Sequence, residues 1–279
     1  MKKITISFLF SILLLGGMCA QETLNIATFN IRLDTPNDGK NAWPNRKEMV
    51  KALVQFHDFD IFGTQEGFAH QLKDIVEIAA YDYVGSGRDD GKEAGEHSAI
   101  VYKKNRFSVL DKGDFWLSET PDVPGKGWDA TCCNRICSWA KFKDQKNGKE
   151  FYFFNVHYDH EGEVARRESS KLMLSKIKEI AGNLPFFCTG DFNATPDSEP
   201  IQLIDKEGTL IDAYKITKQP PYGPVGTFQG FKIETRPKGR IDYIFVSKGI
   251  QVNKYGVLTD MDDNRFPSDH FPVKVNVEW

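Results

Sequence analysis

Short apolar runs of β-forming residues recur along the chain, and most of them end in one polar side chain. Leu24–Leu33 (LNIATFNIRL) is interrupted by Asn30, and Asp60–Glu66 (DIFGTQE) ends on Glu66. Phe151–His157 ends on His157, and Pro185–Asn193 closes on Asp191 and Asn193. Arg240–Val246 carries Asp242, and Phe271–Val277 follows directly on Asp269 and His270. Ser98–Tyr102 and Ser138–Phe142 read as further strands. Helix-period segments lie between them. Arg46–Phe56 puts Met49, Val50, Leu53 and Val54 on one face, and Phe68, Leu72, Ile75, Val76 and Ala79 line another. Glu163–Ala181 is a long helix carrying Leu172, Met173, Ile177 and Ile180. Strands interleaved with helices in this way predict a layered α/β fold with mixed sheets. With 40% hydrophobic and 27% charged residues, low-complexity disorder, collagen and multi-span membrane architectures are excluded. The Gly-rich polar stretches Gly85–Glu96 and Glu119–Asn134 read as long surface loops, a length that often carries function.

Residues 1–20 stand apart. Lys2 and Lys3 precede an apolar run, Ile4–Leu15, and Gly16-Gly17-Met18-Cys19-Ala20 follows. This order is that of a secretory signal peptide cut after Ala20, leaving 21–279 as one domain. The run is too short to span a bilayer, which takes ~20 apolar residues. The expected location is periplasmic or extracellular; the alternative is a lipid anchor on Cys19, against which Met18 is a poor neighbour. Loss of Lys2 and Lys3 takes the formal charge from −3 to −5, and an acidic chain has no built-in field for a polyanion. Strong nucleic-acid binding is therefore not expected, unless bound cations reverse the local sign. The 21–279 segment keeps Cys132, Cys133, Cys137 and Cys188. The neighbours Cys132 and Cys133 are not expected to bond each other. Free thiols, or one bridge from that pair to Cys137, are the two readings, and no zinc-type spacing is present.

An Asn or Asp at one strand end usually caps a turn. A series of them is different, because strand ends at one sheet edge converge, and convergent carboxylates repel unless they bind a cation or share protons. These residue types suit metal-assisted phosphoester hydrolysis. Hard Mg²⁺ or Mn²⁺ takes carboxylate and amide oxygens, here Glu66 with Asn30 and Asp269. Asp191 is suited to orient and deprotonate water, and His270 paired with Asp242 to hold a phosphoryl oxygen. Asn193 and His157 are neutral donors for charge on the phosphoryl oxygens.

The motifs T-F-N-I-R, Q-E, N-V-H, G-D-F-N, R-I-D-Y-I-F and S-D-H stand in the order of the endonuclease/exonuclease/phosphatase superfamily, which this chain resembles over nearly all of residues 21–279. The resemblance implies a four-layer α/β sandwich with two mixed β-sheets at its centre and the site at one edge, the fold of DNase I. It implies Glu66 as main metal ligand with Asn30 and Asp269 beside it, and one or two divalent ions. Asp191 matches the residue that positions the attacking water, Asn193 the phosphate ligand, Asp242 and His270 the Asp–His pair, and His157 the second phosphate-binding His. Glu96 falls where DNase-like members have a Glu that orients that second His.

T-F-N-I-R-L-D-T-P-N-D-G, W-P-N-R, G-S-G-R-D-D-G, F-W-L-S-E-T-P, G-W-D-A before R-I-C-S-W-A, and G-T-F-Q-G-F also resemble a secreted bacterial subgroup. These segments suggest a polar pocket in place of a DNA groove, with Asp34, Arg88, Trp116, Trp128, Arg135 and His160 as its candidates. Arg88 and Arg135 are suited to a second phosphate or a sugar, and the tryptophans to stacking; the alternatives are loop salt bridges and ordinary packing. The expected function is a secreted, monomeric, Mg²⁺-dependent phosphodiesterase or phosphatase acting on a small or extended polar phosphoester by in-line attack of water. A secreted nuclease is the main alternative. A non-catalytic binding protein is disfavoured by the full set of Asp and His residues, and no G-x-S-x-G, P-loop or HExxH supports another hydrolase.

Overall fold

A computed structural model describes residues 22–234 and 236–279. The leader read over residues 1–20, with Cys19, lies outside them. The elements run β1 (Thr23–Asn30), α1 (Lys47–Phe56), β2 (Ile61–Gln65), α2 (Ala69–Val76), β3 (Tyr81–Val84), β4 (Ile100–Lys103), β5 (Phe107–Trp116), β6 (Ile136–Asp144), β7 (Glu150–His157), α3 (Glu163–Ala181), β8 (Phe186–Asp191), α4 (Glu199–Glu207), β9 (Ile211–Asp212), α5 (Ala213–Ile216), β10 (Asp242–Val246), β11 (Gln251–Val257) and β12 (Val273–Glu278). No helix among the described residues is long and apolar enough to cross a membrane.

The strands form two six-stranded mixed sheets, β11-β12-β1-β2-β4-β3 and β5-β6-β7-β8-β10-β9. Each has one parallel pair at its centre, β1 with β2 and β7 with β8, joined through α1 and α3 respectively. Val50, Leu53 and Val54 of α1 and Ile75 of α2 pack on Phe29 and Phe62, covering the outer face of the first sheet. Met173 and Ile177 of α3 and Ile201 and Ile204 of α4 cover Phe154, Cys188 and Phe245 of the second. The inner faces meet through Ile26, Ile61, Ile100, Phe153, Phe187, Ile244 and Val275. The result is the expected four-layer sandwich. Strands buried on both faces read as unbroken apolar runs, which is why β2, β8 and β10 are buried at every position.

Polar side chains also cross between the sheets. Asn155 Nδ2 donates to the carbonyls of Thr64 (2.7 Å) and Ala99 (2.9 Å), and its Oδ1 accepts from Gln65 Nε2 (2.7 Å) and Thr189 Oγ1 (2.9 Å). This seam fixes one sheet against the other just below the site. It needs Gly63, because a Cβ there would collide with Asn155 Oδ1 and Thr189 Oγ1.

Topology then explains the convergence. Parallel β1, β2, β7 and β8 bring their C-terminal ends, Asn30, Gln65–Glu66, His157 and Asp191, to one edge. Antiparallel β10 and β12 begin at that same edge, so Asp242 pairs with Asp191 in register and Asp269–His270 arrive beside Asn30.

Candidate active site

Asp191 is the hub. Its Oδ1 accepts the Asn193 amide (2.9 Å), and its Oδ2 accepts Asn30 Nδ2 (3.1 Å) and lies 3.6 Å from His157 Nε2 and 3.8 Å from His270 Nε2. Burial, reinforced by the adjacent Asp242 charge, pushes its carboxyl up to about 7. His270 donates through Nδ1 to Asp242 Oδ2 at 2.9 Å. Burial opposes its charge, but Asp242, with Asp191 and Asp269, overcomes that and raises His270 well above the usual range, so its imidazolium presents Nε2–H to the site. His157 is driven the other way, by burial and then by Arg135 and Arg88, and is neutral.

Glu66 and Asn193 both take left-handed backbone, φ 64 and 46, directly after β2 and near the end of β8. Non-glycine residues seldom stay there without support from the surroundings. For Glu66 that support is Asn30 Nδ2 on Oε1 (2.9 Å) and the Leu33 amide on Oε2 (3.1 Å). Burial works against its charge, but His270, Asn30, Leu33 and Arg32 together hold the carboxyl below its usual range. Arg32, which sequence reasoning did not single out, reaches Asp38 (2.9 Å), Glu66 (3.6 Å) and Asp269 (3.9 Å).

These residues fit a hard divalent cation. Glu66, His157 and Asp191 each bring one potential ligand atom within 4.8 Å of the others, and Asp191, Asp242 and His270 do the same. Asp242 Oδ1 is buried with no hydrogen-bond partner among the described residues, and burial raises Asp269 beside Glu66. Buried carboxylates at this density favour a cation. Asn30 and Asn193 are each held by hydrogen bonds within the cluster. Asn30 turns its amide nitrogen, not its oxygen, toward Glu66 and Asp191, while its Oδ1 accepts the Arg32 amide (3.0 Å); it holds the carboxylates as a donor. Asn193 Nδ2 donates to Tyr158 O (3.0 Å) and faces His157 Nε2 (3.1 Å), so these two expected phosphate donors are bonded to each other. That contact puts the His157 proton on Nδ1, facing Glu96 Oε2 at 4.0 Å. Glu96 itself is gripped by Arg88 NH1 at 2.6 Å, and burial pushes its carboxyl up to about 7 against that arginine.

The cluster opens into a pocket of about 400 Å³. Of the expected recognition residues, Arg88, Arg135 and His160 line it, and Arg135 donates to His160 Nδ1 (2.7 Å) and Asp159 (3.4 Å). The other three lie outside its lining. Trp116 is buried and donates its indole N–H to Arg88 O (2.7 Å), supporting the loop from beneath. Trp128 sits half-buried in the 119–134 loop, its amide on Glu119. Asp34 pairs with His70 at 2.9 Å. The apolar wall comes instead from Leu33, Phe228, Ile241 and a disulfide between Cys132 and Cys133. That bond corrects the cysteine reading. Cys137, on β6, is buried in the core and is free, while Cys132 and Cys133 line the pocket. Phe228, whose ring lies 5.0 Å from that of His270, carried no sequence signal beyond its place in G-T-F-Q-G-F.

A family model for the Endonuclease/Exonuclease/phosphatase family matches residues 27–270. The chain belongs to that family. Three solved Bacteroides structures share its fold. A family protein from Bacteroides thetaiotaomicron is 47% identical, with TM-score 0.89, covering 92% of this chain and 98% of its own. A mannosyl-6-phosphatase from that species is also 47% identical, with TM-score 0.87, covering 92% and 100%. A family protein from Bacteroides vulgatus is 41% identical, with TM-score 0.87, covering 92% and 99%. The chain spans about half the length of the curated relatives it matches. Members of this family hydrolyse phosphoester bonds, and the site has the acidic and imidazole groups such chemistry uses.

Proposed function

We propose that this protein is an exported, Mg²⁺- or Mn²⁺-dependent phosphatase that removes phosphate from a phosphorylated sugar. The observation that carries this reading is the pocket itself: beside the Asp191 cluster it is walled by two arginines, Arg135, which is buried, and Arg88, which is half-buried. A phosphomonoester carries close to two negative charges, and a pair of guanidinium forks in a partly enclosed pocket is suited to that load. The 47% identity to a mannosyl-6-phosphatase across nearly the whole chain supports the same substrate class. Export rests on the leader read in residues 1–20, and a disulfide at the rim suits an oxidising compartment.

In this mechanism Asp191 holds a water with Oδ2 and takes its proton as the water oxygen attacks phosphorus. The bond from phosphorus to the sugar oxygen breaks on the opposite side. His270 donates from Nε2 to a phosphoryl oxygen, and Asp242 keeps that imidazole charged and oriented. Glu66, with Asp269 beside it, would hold the cation, which supplies charge stabilisation for the phosphoryl and leaving oxygens. Arg88 and Arg135 bind the remaining charge and the sugar end.

A hydrolysis panel in Mg²⁺ tests the reading: mannose 6-phosphate, glucose 6-phosphate, nitrophenyl phosphate, bis-nitrophenyl phosphate, RNA and plasmid DNA. We expect phosphate release from a hexose 6-phosphate with kcat/KM at least about tenfold above that for the diester, a margin of about 1.4 kcal/mol. DNA nicking at low enzyme, without phosphate release from any sugar phosphate, would replace it with a nuclease.

A further inference from the structure

The Cys132–Cys133 disulfide stands on the pocket wall, and none of the chemistry above uses it. Cys132 is exposed and Cys133 half-buried, whereas Cys137 and Cys188 are sealed in the core. The turn that carries the pair is pinned on both sides. Before it, Asp129 caps α3, accepting from the amides of Val164 (3.1 Å) and Ala165 (2.6 Å). After it, Arg135 is held by Asp159 and His160, and Asp159 accepts the amides of Glu161 (2.9 Å) and Gly162 (2.6 Å). The sulfurs are thereby fixed relative to Arg135 and to the end of β7.

Strand order sets their distance from the chemistry. The pair leads into β6, His157 ends the neighbouring β7, and Asp191 ends β8. At ~4.8 Å per strand the disulfide lies on the order of 10 Å from the reacting centre. That is the region of the substrate's non-reacting end. A disulfide offers no hydrogen-bond donor; it is a soft, polarisable surface suited to C–H groups. The polar partners for hydroxyls, Arg88, Arg135 and His160, line the same cavity.

We propose that the Cys132–Cys133 disulfide is a specificity element, the apolar plate against which the C–H face of the substrate's sugar ring rests. The proposal builds on the sugar-phosphate reading. It requires the bond and not just the residues, because on the pinned turn two separate thiols could each rotate away and no longer present one continuous plate.

The test compares kcat/KM for a hexose 6-phosphate and for nitrophenyl phosphate, using wild-type protein, wild type reduced with a phosphine, and Cys132→Ser/Cys133→Ser. Alkylation in denaturant without reductant should leave residues 132 and 133 unlabelled. Reduction and the double substitution should each lower kcat/KM for the hexose 6-phosphate about tenfold, mostly through KM, as loss of uniform binding does. The loss on nitrophenyl phosphate should be several-fold smaller. Should the double variant not fold, the reduced wild type decides. Equal losses on both substrates, no loss on the sugar phosphate, or two alkylatable thiols in the unreduced protein would overturn the proposal. If unreduced wild type cleaves no hexose phosphate, the sugar-phosphate reading fails and takes the proposal with it. Hexose phosphate cleavage indifferent to the pair removes the proposal alone.

Discussion

Replacing Asp242 by Asn keeps the shape of the side chain and removes its charge. The carboxylate accepts from His270 Nδ1 at 2.9 Å, and both groups are almost fully buried, so no water replaces it. Burial pulls the imidazole toward its neutral form, and Asp242 is the largest influence opposing that. Without the charge His270 shifts downward and is no longer held as a cation for the phosphoryl oxygen. A hydrogen bond to a charged group is worth ~1.5–3 kcal/mol. If that stabilisation is lost in the transition state, kcat falls between about tenfold and about 150-fold. The Asn amide oxygen still accepts from Nδ1–H, so the fold should persist. The assay is kcat on nitrophenyl phosphate in saturating Mg²⁺, with circular dichroism for the fold and an NMR titration of the His270 ring. A variant within threefold of wild type, with an unshifted His270 titration, would refute the pairing argument.

Glu66→Gln should weaken Mg²⁺ affinity at least about tenfold, with wild-type activity abolished by EDTA and restored by Mg²⁺ or Mn²⁺; full activity in excess chelator would contradict the cation's role. In the cation-free protein burial pushes the Asp191 carboxyl up to about 7; a cation held nearby at Glu66 favours its ionised form, so binding strengthens as pH rises through that point. Calorimetry in buffers of different ionisation heat should show about one proton released per ion near pH 6 and little above pH 8; no release at the lower pH would count against the coupling. Gly63→Ala forces a Cβ into Asn155 and Thr189 between the sheets and should lower stability by ~1–3 kcal/mol, read as a fall in Tm.

What the sequence made legible follows from burial. The central strands are apolar on both faces and end in the site residues, so β1, β2, β7, β8 and β10 and most catalytic candidates stood out, as did α3, where the helical period spans Glu163–Ala181. Edge elements did not. β5 is buried only at its ends, with Asp111, Lys112 and Asp114 between, and β11 alternates around Asn253 and Lys254, so neither carries an apolar run. The pocket was half legible. Arg88 and Arg135 stood out by their place in G-S-G-R-D-D-G and R-I-C-S-W-A, but whether a tryptophan stacks on a ligand or props up a loop depends on where the loop lies. Trp116 props up a loop, and Phe228 takes a place on the wall. Asn30 and Asn193 stood out as polar strand ends, but the orientation of their amides is set by the surrounding donors and acceptors, which only the three-dimensional arrangement supplies. The vicinal disulfide depends in the same way on a turn conformation that spacing does not specify.

The most direct test is kcat of Asp191→Asn on a hexose 6-phosphate in Mg²⁺. Asn preserves the contacts to the Asn193 amide but cannot accept the water's proton, and general-base roles are worth ~10²–10⁴-fold. We expect a folded variant with kcat down at least about a hundredfold and KM changed little. A folded Asp191→Asn protein turning over within a few-fold of wild type would contradict the assignment of this cluster as the hydrolytic centre.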